Sequence, residues 1–161
     1  MGQMIKVGMA DLNICKFPDA LTTLGLGSCV GVALYDVDKK IGGMIHVMLP
    51  DSTKFKVVSN PAKFADSGIE VLIEKMADAG ANPKALTAKI AGGAQMFAFS
   101  SDNDMLRIGD RNVEAVKNIL SKKGIRIIAE DTGNNYGRTI EFYTKNGKLL
   151  IKAVGRDVVE I

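Results

Sequence analysis

Cys29 and His46 are the residues of this chain best suited to covalent chemistry. His46 is the only histidine and Cys29 is one of two cysteines, so a thiol–imidazole pair has few sources. The thiolate is the nucleophilic form, and a free thiol ionises only near pH ~8.5. A neighbouring imidazole solves that problem by taking the thiol proton and later returning one to the leaving group. A third group normally fixes the imidazole tautomer. Thr22 and Thr23 are the local candidates, through a hydroxyl or a backbone carbonyl. The backbone N–H groups of Ser28 and Cys29, within Gly27-Ser28-Cys29, are candidates to hold a developing oxyanion, because glycine permits the tight turn that aims them. Such chemistry requires no metal and no cofactor. The same residues also have a plain reading: a cysteine in an apolar, Gly-rich strand is commonly a small buried hydrophobe, and a lone strand histidine a packing or surface residue. Cys15 reads as packing or as an edge position.

These side chains meet only if the elements carrying them pair correctly. Strands are expected at about Ile5–Met9, Thr22–Leu26, Cys29–Tyr35 and Ile41–Leu49, with Asp11–Ala20 a loop because it holds Asn13, Pro18 and Asp19. Asp36-Val37-Asp38-Lys39 is the polar turn of a hairpin. Centring it between Val37 and Asp38 sets Cys29 directly opposite His46, with Cβ atoms about 4.5–5.5 Å apart. Val30, Val32, Leu34, Ile45, Val47 and Leu49 then share a core face. Cys29, Gly31, Ala33, Gly42, Met44 and His46 share the other, whose small side chains suggest room for a substrate. A slip of one residue would separate the pair onto opposite faces.

Further along, Asn60-Pro61 has the cap and first-turn residues of a helix start. Ile69, Leu72, Ile73 and Met76 form one apolar helical face, and Gly80 stops it. A strand at Leu86–Ala91 precedes Gly92-Gly93, which reads as close packing rather than an anion-binding turn. A polar loop, Ser100–Asp104, leads to a second helix from about Asp110 to Lys123, with Val113, Val116, Ile119 and Leu120 on its apolar face. Ile125–Ala129 is a β-branched run. Asn146-Gly147 carries the type I′ signal of a hairpin whose strands are Ile140–Thr144 and Leu149–Ala153. Met44, Met48, Met96 and Phe97 read as core. Tyr136-Gly137-Arg138 reads as a structured loop near a site or partner, with Arg138 a surface charge.

Strands and helices do not alternate strictly, so the fold class is α/β in the α+β sense: mixed, largely antiparallel sheets in a sandwich with two main helices. The 161 residues read as one domain, 1–161, with 47% hydrophobic and 24% charged residues, a balance that excludes disorder as the bulk state. A net charge of +3 with no Lys/Arg run longer than two gives no footprint for nucleic acid. The Cys and His count is too low for a four-ligand structural zinc site built from those residues alone. GxxxxGK and GxSxG are absent, and Gly25-Leu-Gly27 followed by Gly31 has the wrong spacing for a dinucleotide site. The opening Met-Gly-Gln-Met-Ile-Lys starts no long apolar region, so no signal peptide is expected. The longest uncharged stretch, Ala20–Tyr35, is shorter than the ~20 residues of a spanning helix, so a reduced, cytoplasmic protein without membrane insertion is expected.

The sequence also resembles a known family. Thr22-Thr-Leu-Gly-Leu-Gly-Ser-Cys-Val-Gly-Val-Ala-Leu-Tyr-Asp36, followed by Gly42-Gly-Met-Ile-His-Val-Met-Leu-Pro50, is similar to the signature of the CheD family. The likeness continues through Ala88–Phe97, Ile108-Gly-Asp-Arg-Asn112 and Asp131–Arg138, nearly the whole chain in order. One departure is Thr132-Gly133-Asn134, where the pattern leads one to expect a second glycine. The resemblance implies a chemoreceptor glutamine deamidase of chemotaxis, with Cys29 the nucleophile, His46 its base and Thr23, in preference to Thr22, the supporting residue. It implies a sandwich related to the catalytic domain of cytotoxic necrotizing factor toxins. It implies hydrolysis of glutamine side chains on chemoreceptor cytoplasmic helices, with receptor methyl-ester hydrolysis as an activity also ascribed to the family. The implied partner is the CheC phosphatase, which acts on phosphorylated CheY, occupies CheD and is stimulated by it. Other readings of the same residues are a non-catalytic module acting through CheC, a cysteine peptidase or transglutaminase-like enzyme, and a redox thiol. The last is disfavoured because no resolving cysteine stands nearby.

Overall fold

The computed structural model describes residues 2–96 and 107–161. The expected loop Ser100–Asp104 and the core assignment of Phe97 lie outside the described residues. The strands are β1 (Met4–Lys6), β2 (Leu12–Lys16), β3 (Ala20–Leu26), β4 (Val30–Asp36), β5 (Ile41–Val47), β6 (Thr87–Gly92), β7 (Arg126–Thr132), β8 (Arg138–Tyr143), β9 (Lys148–Lys152) and β10 (Val159–Glu160). The helices among the described residues are α1 (Ala65–Asp78) and α2 (Ile108–Lys122). One sheet has the order β1-β3-β8-β9-β10 and the other β2-β5-β4-β6-β7. Pairs β1–β3 and β6–β7 are parallel and the rest antiparallel, which is the expected mixed, largely antiparallel α+β sandwich.

The second sheet is the middle layer, with helices on one face and the first sheet on the other. Val30, Val32, Leu34, Ile45 and Val47 pack with Ile69, Leu72 and Met76 of α1 and Val116 and Leu120 of α2. Ala33, Tyr35, Met44 and Ala91 pack with Leu21, Leu26, Ile140 and Phe142 of the first sheet. Every residue of β4 and β5 is buried, because both faces are covered. Both helices end in Schellman turns: Gly80 and Gly124 are left-handed, and the N–H groups of Ala81 and Ile125 reach back to the Met76 and Leu120 carbonyls.

Several expectations are corrected. Asp11–Ala20 is not all loop, because Leu12–Lys16 forms β2 against β5, with Leu12 and Ile14 turned to the helix-side core. The β4–β5 hairpin pairs Asp36 with Ile41, so its loop centres between Asp38 and Lys39 and His46 faces Gly31, not Cys29. Two local features set that register: the Asp36 carboxylate accepts the Asp38 and Lys39 N–H groups, and Lys40 is left-handed (φ 53°). The displacement is two residues, so the division of faces survives. Asn60 caps a 3₁₀ turn over Pro61–Lys63, and α1 starts only at Ala65, because the Lys63 carbonyl is taken by the Met48 and Leu49 N–H groups. The β8–β9 loop is not type I′: it holds Thr144–Gly147, and only Gly147 there has positive φ.

Candidate active site

The chain leaves the first sheet at Leu26 and enters the second at Val30, and Cys29 is the last residue of the crossing turn. Three successive carbonyls of that turn are tied down. Ala94 N–H donates to Gly27 O (2.9 Å), Asn112 Nδ2 to Ser28 O (3.0 Å) and Gly93 N–H to Cys29 O (2.8 Å). Gly92 is left-handed (φ 111°), and a Cβ there would lie 2.4 Å from Cys29 O, so only glycine lets β6 come this close. This confirms Gly92-Gly93 as close packing. Among the described residues, the Ser28 and Cys29 N–H groups donate to no backbone carbonyl.

His46 is the penultimate residue of β5 and is completely buried. Its backbone is clamped to the β1–β2 connection, with Ala10 N–H donating to its carbonyl and its own N–H to Asp11 O. Its ring reaches across the sandwich to Thr23 of β3, with Nδ1 2.7 Å from Oγ1. The Thr23 hydroxyl has one proton, and it donates that proton to Val7 O at 2.7 Å. Only lone pairs remain for the imidazole, so Nδ1 carries the ring hydrogen and Nε2 is the free base. The group that orients the ring is therefore the Thr23 hydroxyl. Thr22, the adjacent residue of β3, points to the opposite face of the sheet, where its hydroxyl donates to Ile140 O (2.8 Å). Burial lowers the His46 pKa from 6.5, which keeps the ring neutral. Nε2 is buried with no hydrogen-bond partner among the described residues, a cost that active sites commonly carry.

Cys29 lies on the same face as His46, two residues before the ring's cross-strand partner Gly31. This diagonal placement corresponds to roughly 7–8 Å between backbones, within reach of side chains. Among the described residues Nε2 makes no hydrogen bond, so the thiol and imidazole share a sheet face without bonding to each other, as is common before substrate binds. Cys29 keeps 8% of its surface exposed. Burial raises its pKa from 9.0, and its own backbone N–H, which favours the thiolate, opposes the shift only partly. Both shifts favour the neutral forms, a protonated thiol and an uncharged imidazole.

The face of small residues is not the expected substrate hollow. A Cβ on Gly31 would lie 2.5 Å from Ile140 Cδ1, and Ala33 and Met44 are sealed between the sheets. Small side chains are needed there because the first sheet presses against them, so approach to Cys29 must be at the crossing turn. Met96 borders that turn beside Gly27 and is 47% exposed, which corrects its assignment to the core. Arg138 is also corrected. It is buried and donates to Gly133 O (3.0 Å), with Asp131 3.4 Å away, and so braces the loop behind Gly92. The guanidinium groups of Arg138 and Arg156 both lie over the Tyr136 ring, 4.5 and 3.9 Å from its centroid. Sequence reasoning missed the Val7 carbonyl and Asn112, whose partners are far away in the chain. Among the described residues, no group of three His, Cys, Asp or Glu side chains is placed to hold a metal, and no helix is long and apolar enough to cross a membrane.

Comparison with known proteins gives a consistent result. Residues 48–153 match the family model described as CheD chemotactic sensory transduction. A protein of Lachnoclostridium phytofermentans named probable chemoreceptor glutamine deamidase CheD is 65% identical over 156 residues, covering 97% of each chain. Proteins of the same name from Caldanaerobacter subterraneus subsp. tengcongensis and Clostridium novyi are 56% and 54% identical, covering 97% and 96% of this chain and 96% and 95% of their own. Coverage of that extent spans Thr23, Cys29 and His46, which precede the family-model match. Among solved structures, a Neisseria meningitidis protein of family-model DUF152 has a TM-score of 0.53 at 11% identity. The match covers 82% of this chain and 64% of the other, and shows a shared fold.

Proposed function

The chain belongs to the CheD family, and from that premise we propose that it deamidates chemoreceptor glutamines through Cys29 and His46. The observation that carries this reading is the Val7–Thr23–His46 chain of hydrogen bonds. It leaves Nε2 as a neutral base on the sheet face that also carries Cys29, whose turn is held by three carbonyl ties.

In the proposed mechanism the thiol proton passes to His46 Nε2 as Cys29 Sγ bonds to the carboxamide carbon. The carbonyl oxygen becomes an oxyanion held by the Ser28 and Cys29 N–H groups. As the tetrahedral intermediate collapses, the carbon–nitrogen bond breaks and His46 hands its proton to the nitrogen, which leaves as ammonia. The resulting thioester is attacked by water whose proton goes to Nε2. Collapse then expels the sulfur, which recovers the proton. The net change is glutamine plus water to glutamate plus ammonia. Thr23 Oγ1 accepts the Nδ1 hydrogen throughout and so holds the ring in one orientation.

Receptor cytoplasmic helices as substrate imply work in the cytoplasm. Family membership suggests CheC as partner. A module acting only through CheC is the competing reading, favoured by the near-complete burial of Cys29. Intact-mass analysis of receptor fragments separates the two. Wild-type protein should add about one dalton per converted glutamine and Cys29→Ala none. Unchanged receptor mass with wild-type protein, or ammonia released by Cys29→Ala, would overturn the enzymatic reading. Backbone cleavage or amine-linked products would indicate a peptidase or transglutaminase instead.

A further inference from the structure

The geometry points to Asn112 as a positioning residue that aims the Cys29 N–H at the reacting carbonyl oxygen. The inference rests on the deamidase reading and adds a residue to it.

Asn112 lies in the first turns of α2 and is fully buried. Its amide nitrogen donates one hydrogen to Ser28 O (3.0 Å) and the other to Met48 O (2.9 Å). The reverse amide orientation would set its oxygen against two carbonyl oxygens, so this assignment is forced. Asn112 thereby ties the nucleophile's turn to the residue that follows β5, the strand of His46. Ser28 C=O and Cys29 N–H belong to one planar trans peptide and point in opposite directions. Holding the carbonyl toward α2 directs the N–H away from it, to the side where the Cys29 sulfur feels that N–H. Among the described residues Asn112 Oδ1 has no hydrogen-bond partner, although it is buried. The residue is therefore placed for its two donors, and not as part of a satisfied packing network.

The experiment compares the full chain as wild type, Asn112→Asp and Asn112→Ser. The substrate is a glutamine-bearing receptor fragment, and the readouts are kcat and KM for ammonia release. The alkylation rate of Cys29 by iodoacetamide is measured alongside, because that displacement builds no oxyanion. The expected result is a fall in kcat of at least about tenfold, with KM and alkylation each within about threefold of wild type. Asn112→Ser keeps the test decisive if a buried carboxylate prevents folding. Unchanged kcat, or kcat and alkylation falling in equal proportion, overturns the positioning role. Wild-type protein that releases no ammonia fails at the earlier step and removes the deamidase reading together with this one.

Discussion

Thr23 Oγ1 and His46 Nδ1 join the two sheets of the sandwich, 2.7 Å apart, and this contact decides which imidazole nitrogen is a base. Thr23 spends its only proton on Val7 O, so the tautomer depends on a backbone carbonyl that touches neither the ring nor the sulfur. Thr23→Val removes the acceptor for Nδ1–H and frees the ring to turn. The expected loss in kcat is on the order of 10²-fold, with Thr23→Ser retaining activity within a few-fold. Steady-state ammonia release by the two variants checks this. A Val variant as active as the Ser variant would remove Thr23 from the mechanism.

The acid side of the activity profile should reflect the buried ring. Burial holds His46 neutral below 6.5, so kcat/KM should stay level from neutral pH down to 6.5 and decline only below it. Stability follows the same group with a definite sign. The unfolded chain binds a proton to His46 at a higher pH than the folded one does, so folding free energy is lost as pH falls from 6.5 toward the folded value. On the alkaline side the raised thiols act in the opposite sense. Unfolded Cys15 and Cys29 ionise from about 9.0, whereas folded Cys15 holds its proton up to about 12, so stability declines as pH rises above 9.0. Urea midpoints across pH should flatten on the acid limb in His46→Gln and on the alkaline limb in Cys15→Ala. Unaltered limbs in both variants would contradict the assignment.

Labelling should separate the two thiols. Burial raises both thiols, but the Asp19 carboxylate adds to the shift at Cys15, pushed up to about 12, whereas at Cys29 its own N–H opposes it. Limiting iodoacetamide should modify Cys29 first, seen by peptide mass mapping. Preferential labelling of Cys15 would mean that the crossing turn is closed to small molecules.

The sequence shows clearly whatever depends on alternation and little that depends on distant partners. Strand period placed Val30, Val32 and Leu34 on one face and Cys29, Gly31 and Ala33 on the other, and both sets hold. The cross-strand partner of His46 was misplaced by two residues because hairpin register depends on loop conformation, here a left-handed Lys40 and the Asp36 carboxylate. Parity is unchanged by a two-residue shift, so the face assignment survived the wrong register. Asn112 could not be singled out, since its acceptors lie 84 and 64 residues away in the chain. Arg138 read as a surface charge because local sequence does not reveal that Gly133 O and Asp131 enclose its guanidinium.

That enclosure predicts a stability effect. Arg138→Met would leave Gly133 O without its donor and Asp131 without its cation, at a cost of about 2–4 kcal/mol. Arg138→Lys should rescue little, because an ammonium cannot reproduce the guanidinium fork across Gly133 O and Asp131. Chemical denaturation measures both. A Lys variant as stable as wild type would show that charge alone is needed.

Gly92 and Gly25 provide the sharpest paired test, since both are left-handed and only one is crowded. Among the described residues, alanine at Gly25 meets nothing within 4 Å, so Gly25→Ala adds backbone strain of about 1 kcal/mol there. Alanine at Gly92 adds the same kind of strain and also drives a methyl group to 2.4 Å from Cys29 O, the carbonyl held by Gly93 N–H. Relief requires β6 and the crossing turn to separate, which breaks that bond and re-aims the nucleophile's peptide. Gly92→Ala should therefore lose more than about 2 kcal/mol of stability and at least tenfold in kcat, while Gly25→Ala keeps its activity. Denaturation midpoints and ammonia release by the two variants decide the matter. Equal activity in both would mean that the crossing turn tolerates displacement, and that Gly92 serves strand packing without holding Cys29 in place.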